Sequence, residues 1–345
     1  MACFRKSKRK MQKIGAAVIG VGIYGKNHAR VYANDPSVEL LSVWSRTEKT
    51  ASEVSAEYSV PYTTDLKAIA NNGDIRIVSV STPDFAHVEP AVAMLLAGKD
   101  VLLEKPMATT SDGCREILSA QKKGGGKLMV NFHNRWYPSY IKARETIRNG
   151  GIGDLNTAYL RLSDRIEVAT KWLSWSGRSG PHWFLFPHIV DLLLWASGDS
   201  VCEVSAYGSK GVLKSKNIDT YDVVQAQLKL KKSVATIESS WILPQSWPNI
   251  IEFRSEFYGT EGCMRLLSDY EGITIISDQY REPLLLDPIT EDEPIKYFID
   301  CVKNNIVPAP TGFDGLRVTN IIEAIDLSLK TGKKVGVADQ DEVVL

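Results

Sequence analysis

The sequence is short of the features that mark several protein classes. It has five cysteines, Cys3, Cys114, Cys202, Cys263 and Cys301, odd in number, far apart and without a C-x-x-C pair. That spacing excludes a disulfide framework and a structural zinc site, and it suits a reducing, cytoplasmic setting. The five histidines, His28, His87, His133, His182 and His188, form no H-x-x-x-H pair, so no metal is expected. No apolar run approaches the roughly 20 residues of a membrane helix. Lysine plus arginine equals aspartate plus glutamate at 41 each. A chain without net charge has no bulk attraction for nucleic acid or an anionic membrane. Trp241 and Trp247, with Pro244 and Pro248, have the look of a base-stacking loop but lack the basic groove such binding needs.

What is present describes an ordinary folded chain. Of 345 residues, 44% are hydrophobic and 24% charged, enough for two domains with cores of their own. Arg5, Lys6, Lys8, Arg9 and Lys10 crowd the start with no acid among them, so residues 1–12 are expected to be a disordered basic tail. The apolar stretch that follows, residues 14–22, is too short and glycine-rich for a signal peptide.

From residue 13 to 131 short β-branched runs alternate with helical segments. Strands are expected at 14–20, 39–45, 60–63, 75–80, 100–104 and 127–130, and helices at 23–34, 48–58, 88–97 and 112–122. Such alternation implies a doubly wound parallel sheet with right-handed crossovers. The grammar changes in residues 132–345. After a helix at 140–149, strands at 155–162, 200–207, 221–230, 233–241, 252–259 and 262–267 follow one another with few helices between. This half is expected to be an α+β domain with a large, mostly antiparallel open sheet. Helices are expected at 187–196, 294–304 and 314–331.

Gly20-Val21-Gly22-Ile23-Tyr24-Gly25 is G-x-G-x-x-G at a strand-to-helix turn, the fingerprint of dinucleotide binding. The first glycine turns the chain, the second admits a pyrophosphate, the third lets helix and strand approach, and the helix N-terminus attracts the phosphates. About 20 residues on, an NAD enzyme carries an acid for the ribose 2′-OH. Here the sequence reads Trp44-Ser45-Arg46-Thr47, with no acid from Leu40 to Thr47. Ser45 and Arg46, with Lys49 nearby, suit a 2′-phosphate, so NADP(H) is favoured over NAD(H). A solvated Arg46 stacking on adenine is the alternative.

Lys105 ends a buried strand and Pro106 restrains its backbone. Beside a cationic nicotinamide, like charge and burial would lower its pKa toward proton-transfer work. In order along the chain stand the glycine loop, Ser81-Thr82-Pro83 with His87, Glu104-Lys105-Pro106, Val130-Asn131-Phe132 with Arg135-Trp136 and Pro138, and a C-terminal run from Gly312 through Asp314 and Glu323 to Gly332. Together these motifs resemble the Gfo/Idh/MocA oxidoreductases across residues 13–338. The resemblance implies a Rossmann domain followed by an open-sheet domain that often forms oligomer contacts. It also implies a homodimer or homotetramer acting on a sugar or cyclitol hydroxyl or ketone. Glu104 and Asn131 join the expected cofactor site.

In relatives of that family a helix carries an aspartate four residues before a histidine, and lysine, aspartate and histidine act together. His188 matches the histidine, but position 184 is phenylalanine. Pro187 suits the first helical turn, which places His188 where the helix dipole favours a neutral ring. Asp191, three residues on, either orients it or solvates the helix start. His182 and Tyr221 are further candidates for the missing acid's work. Arg135 fits the substrate pocket or an interdomain ion pair. Trp172, with Trp175 and Trp183, fits stacking on a sugar ring or an aromatic core. Phe184 leaves two alternatives open: a cofactor-binding protein without turnover, and a redox-neutral lyase or glycosidase that uses the nicotinamide.

Overall fold

The structure is a computed structural model that describes residues 13–267, 272–276, 284–285 and 291–338. The basic tail lies outside the described residues. The N-terminal layer runs β1 (Ile14–Ile19), α1 (Ile23–Asn34), β2 (Val38–Trp44), α2 (Glu48–Tyr58), β3 (Tyr62–Thr63), α3 (Leu66–Ala70), β4 (Ile75–Val80), α4 (Val88–Leu96), β5 (Asp100–Leu103), α5 (Ser111–Gly124) and β6 (Leu128–Val130). Its six strands are ordered β3-β2-β1-β4-β5-β6 and all pair in parallel. Helices cover both faces, so β1 buries Ala16, Ala17, Val18 and Ile19 regardless of the side they face. The order reverses between β1 and β4, and the crevice outside their carboxyl ends is the binding edge of such a sheet.

The second half runs α6 (Pro138–Arg148), β7 (Leu155–Arg165), α7 (Pro181–Phe184), α8 (Phe186–Ser197), β8 (Val201–Ser209), β9 (Val223–Leu230), β10 (Val234–Leu243), β11 (Ile251–Gly259), β12 (Cys263–Leu267), β13 (Gly272–Ile276), β14 (Leu284–Leu285), α9 (Glu293–Lys303), α10 (Gly312–Thr331) and β15 (Val335–Gly336). Nine strands make one sheet, β14-β13-β12-β11-β7-β10-β9-β8-β15, in which only β7 and β10 pair in parallel. Period-2 alternation buries Val224, Ala226, Leu228 and Leu230 of β9 on the face toward α8 and α10.

Two helices tie the halves together. Ile295, Phe298, Ile299 and Val302 of α9 enter the core with Val18, Leu40, Ile77 and Leu102 of the parallel sheet. At roughly 1.5–3 kcal/mol per buried side chain, α9 is a member of the N-terminal layer despite its late place in the chain. Thr311 caps α10 reciprocally with Asp314, and α10 then packs on α5, α8 and β8. Among the described residues no helix is long and apolar enough to cross a membrane.

Strand β7 departs from expectation. It was expected to stop at Leu162 and continues through Ser163 and Asp164 to Arg165, because β10 and β11 pair with it on both sides. The helix expected from Pro187 starts at Phe186 and is preceded directly by α7. Small elements without a sequence pattern of their own, such as α3 and β15, come from tertiary packing.

Gly25 is the tightest point of the nucleotide turn: a Cβ there would stand 1.8 Å from the Gly20 carbonyl oxygen. Gly25→Ala should therefore lower unfolding free energy by about 1–3 kcal/mol or more in urea denaturation. Gly22→Ala, where a Cβ meets nothing within 4 Å, should leave stability near wild type.

Candidate active site

A cleft of about 1820 Å³ opens between the carboxyl edge of the parallel sheet and the inner face of the second sheet. Residues 20–24, 44–46, 81–83 and Glu104-Lys105 form one wall, and Leu162, Asp164, Trp172, Trp175, Phe184 and His188 stand on the other.

The first wall suits a dinucleotide. Gly20 has φ +90°, a left-handed value that glycine tolerates, and Ser81 Oγ donates to its carbonyl at 2.8 Å. Gly22 caps α1 with no side chain over the first-turn N–H groups, and a Cβ there would project into the open space. That is the room a pyrophosphate takes at a helix N-terminus. Trp44 Nε1 is buried on this wall without a protein partner. Arg46 reaches a side cleft of about 270 Å³ shared with Pro83, Phe85, Ser174, Trp175 and Arg178. The Arg178 guanidinium lies 3.8 Å from the Phe85 ring centroid. Two guanidinium groups and no carboxylate border this side cleft.

Lys105 sits where the walls meet, 5% exposed. Its Nζ donates to the Phe184 carbonyl at 3.1 Å and stands 4.1 Å from the Phe184 ring centroid. At position 184, where the resemblance leads one to expect an aspartate, Lys105 thus meets a main-chain oxygen and a ring face. Burial lowers the Lys105 pKa, while Glu104, Asp84, Asp164 and Glu291 oppose it.

Glu104 anchors the lysine from behind. Its Oε1 accepts from His28 Nε2 at 3.0 Å and from Asn131 Nδ2 at 2.6 Å. His28 Nδ1 then takes the Ser79 hydroxyl at 2.8 Å, and Ser79 takes Tyr32 at 2.6 Å. Burial alone would raise the Glu104 pKa, but the His28 bond and the positive groups around it hold it at about 2.

His188 faces Lys105 from α8 with a buried Nδ1 that has no protein partner. Burial first, then Lys105 and His133, push its pKa well below the usual histidine range. Burial and these neighbours thus favour the neutral ring, in addition to the helix N-terminus. His133 lies 4.9 Å from His188, ring to ring, and burial takes its pKa down to about 4, with Glu104 opposing. Asp164 accepts the Trp241 indole N–H at 3.2 Å, and burial raises its pKa to about 7 against the pull of Lys105. Neither His133 nor Asp164 stood out as a site residue in sequence. Asp164 had one legible signal: Ala158, Leu160 and Leu162 face inward, and position 164 continues that face.

Several expected site residues lie elsewhere. Arg135 and Asp191 form a bidentate pair, 2.8 Å from Nε to Oδ2, and Arg135 Nη2 also reaches Asp314 at 2.9 Å. This partly buried triad joins the segment after β6 to α8 and α10, and neither Arg135 nor Asp191 borders the cleft. Burial raises the Asp191 pKa to about 6, opposed by Arg135. His182 packs edge-on against Tyr221 with Asp326 of α10 at 3.4 Å, and neither His182 nor Tyr221 borders the cleft. His87 lies beneath the wall, its ring nitrogens 2.8 Å from the Thr82 oxygen and 2.7 Å from that of Pro106. Asn131 and Gly25 likewise act one step behind the wall. Asp84, not singled out in sequence, accepts from Ser179 and so ties the 173–180 loop to the N-terminal layer.

Comparison with known proteins agrees with this architecture. Residues 14–132 match the family model described as an oxidoreductase family, NAD-binding Rossmann fold, and residues 140–265 match that of the GFO/IDH/MocA C-terminal domain. The two together span more than two thirds of the chain. The chain is 27% identical to scyllo-inositol 2-dehydrogenase (NADP(+)) of Bacillus subtilis over 72% of its own length and 68% of that protein. It is 24% identical to inositol 2-dehydrogenase of Acidothermus cellulolyticus over 94% and 95% of the two chains. Levoglucosan dehydrogenase in complex with NADH and levoglucosan superposes with a TM-score of 0.85 at 22% identity, covering 95% of this chain and all of that one.

The Glu104 charge has a stability signature. Its folded pKa lies below the unfolded value near 4.3, so its contribution is complete above that pH and is lost as pH falls toward 2. Glu104→Gln should cost roughly 3 kcal/mol in urea denaturation at pH 7, with the gap from wild type closing below about pH 4.

Proposed function

The chain belongs to the Gfo/Idh/MocA oxidoreductase family, and from that premise we propose that it is an NAD(P)-dependent dehydrogenase or reductase of a secondary hydroxyl, or its ketone, on a sugar or cyclitol. The observation that carries this reading is the buried Lys105, placed between a dinucleotide-shaped wall and a largely apolar second wall that carries Asp164 and His188. A bound nicotinamide supplies the hydride acceptor for oxidation and the donor for reduction. Lys105, its ammonium destabilised by burial, takes the hydroxyl proton in oxidation and returns it in reduction, and the O–H electron pair stays on oxygen. The Phe184 carbonyl fixes the Nζ direction while the Phe184 ring keeps water from it. Neutral His188 lines the same space from α8 and orients the substrate oxygen. Trp172 offers an aromatic face to the apolar side of a sugar ring at the mouth of the cleft.

The cofactor reading is NADP(H) in preference to NAD(H). Its support is the absence of an acid after β2 and the pairing of Arg46 with Arg178, from the opposite half of the chain, around one carboxylate-free side cleft. A homo-oligomer in the cytoplasm completes the reading. Tyr207 of β8, Val234 of β10 and Tyr258 of β11 are exposed large side chains of the second sheet, suited to contact with a second copy.

Turnover with NADP+ and NAD+ on scyllo-inositol, myo-inositol and levoglucosan tests the reaction. A rise in reduced-nicotinamide absorbance with at least one polyol is expected, and Lys105→Met should lower kcat at least about 100-fold. Nucleotide binding with no absorbance change on any polyol would favour the non-catalytic alternative. For the cofactor, Arg46→Ala and Arg178→Ala should each weaken NADPH binding about tenfold while leaving NADH binding within twofold, read by nicotinamide fluorescence titration.

A further inference from the structure

We propose that Asp164, across the cleft from Lys105, is a second proton-carrying catalytic group and performs the acid–base work that position 184 cannot. The proposal rests on the dehydrogenase reading above. Strand β7 directs Ala158, Leu160 and Leu162 into the core, and the same two-residue period carries Asp164 to that face at the point where the core gives way to the cleft. The pairing of β7 with β10 slips between Ser240 and Leu243, which leaves Trp241 beside Asp164. Irregularities of this kind aim a side chain away from the regular ladder. The indole N–H satisfies one acceptor site of the carboxyl group, out of the several such a group offers. The rest of the group faces a cleft with Lys105 on its far side.

Three groups face Asp164, Lys105 just past β5, Tyr24 of α1 and Trp241 of β10, and His188 of α8 lines the same cleft. Burial keeps the Tyr24 hydroxyl protonated and His188 neutral at ordinary pH. Lys105 is therefore the charged neighbour that sets the proton on Asp164, and burial holds that proton to about pH 7. In oxidation the substrate hydroxyl gives its proton to the Lys105 amine as the carbonyl forms, and the Lys105 ammonium passes a proton to the Asp164 carboxylate. In reduction the Asp164 acid returns it through Lys105 to the new alkoxide oxygen. The nicotinamide is the two-electron partner in both directions.

Asp164→Asn keeps an oxygen for the Trp241 N–H but cannot carry the proton. With NADP+ and the best polyol of the panel above, kcat should fall about 100-fold with KM within threefold. The ionisation near pH 7 should vanish from the kcat profile. A purely structural role would leave kcat and its pH profile at wild type, and that result overturns the proposal. Thermal unfolding supplies an arm independent of turnover. An acid whose folded pKa is raised loses stability as pH rises from its unfolded value, near 4, through 7. The melting temperature of Asp164→Asn relative to wild type should accordingly be higher at pH 8 than at pH 5. An offset equal at both pH values also overturns the proposal. If wild-type protein turns over no polyol, the dehydrogenase reading fails, and the thermal arm alone decides whether Asp164 holds its proton.

Discussion

Taking an ammonium out of water is costly unless fixed charges and dipoles replace the solvent. Lys105 is buried at the seam of two sheets, and the surrounding structure is arranged around that cost. Four acids, Glu104, Asp84, Asp164 and Glu291, pull toward the charged form, and burial pulls the other way. The balance leaves a lysine with a lowered pKa, which is the state proton transfer near neutral pH requires. The Phe184 carbonyl gives its Nζ a direction without adding another negative charge.

The N-terminal layer holds this lysine by a chain of buried hydrogen bonds. Tyr32 and His28, four residues apart on α1, reach Ser79 at the end of β4 and Glu104 just past β5. The helix whose N-terminus suits a pyrophosphate is thus the one that fixes the residue before Lys105. His87 binds the loop after β4 to Pro106 on the other side of Lys105. From the second half, Ser179 reaches Asp84, and Arg135 gathers Asp191 and Asp314. Cofactor wall, lysine and substrate wall are consequently parts of one packed unit, with a core cluster that runs from β6 and α5 to α8, α10 and β9.

Much of this was legible in the sequence wherever one local pattern carries the information. Strand–helix alternation marked the parallel sheet, the three glycines marked the nucleotide turn, and a strand-end lysine followed by proline marked the place where the two walls of the cleft meet. Position 184 announced a missing acid in the same way. What replaces it was not legible, because Asp164 closes a strand whose last three residues are held by pairing to β10 and β11 rather than by propensity. The roles of Arg135 and Asp191 were hidden for a related reason. Their partner Asp314 lies 179 positions from Arg135, and only folding brings α10 beside the segment after β6. Buried polar residues in a single sequence announce that a partner exists, and its identity is a tertiary fact.

The central claim is that the substrate oxygen sits between Lys105 and Asp164 in a cleft closed on one side by the nucleotide turn. A crystal structure with NADP+ and a bound polyol measures this directly. The reacting hydroxyl oxygen is expected within about 2.6–3.2 Å of Lys105 Nζ, with the Asp164 carboxyl group across the cleft on the other side of that oxygen. A polyol seated at the mouth beside Trp172, with Lys105 still on the Phe184 carbonyl and Asp164 out of reach of both, would contradict it.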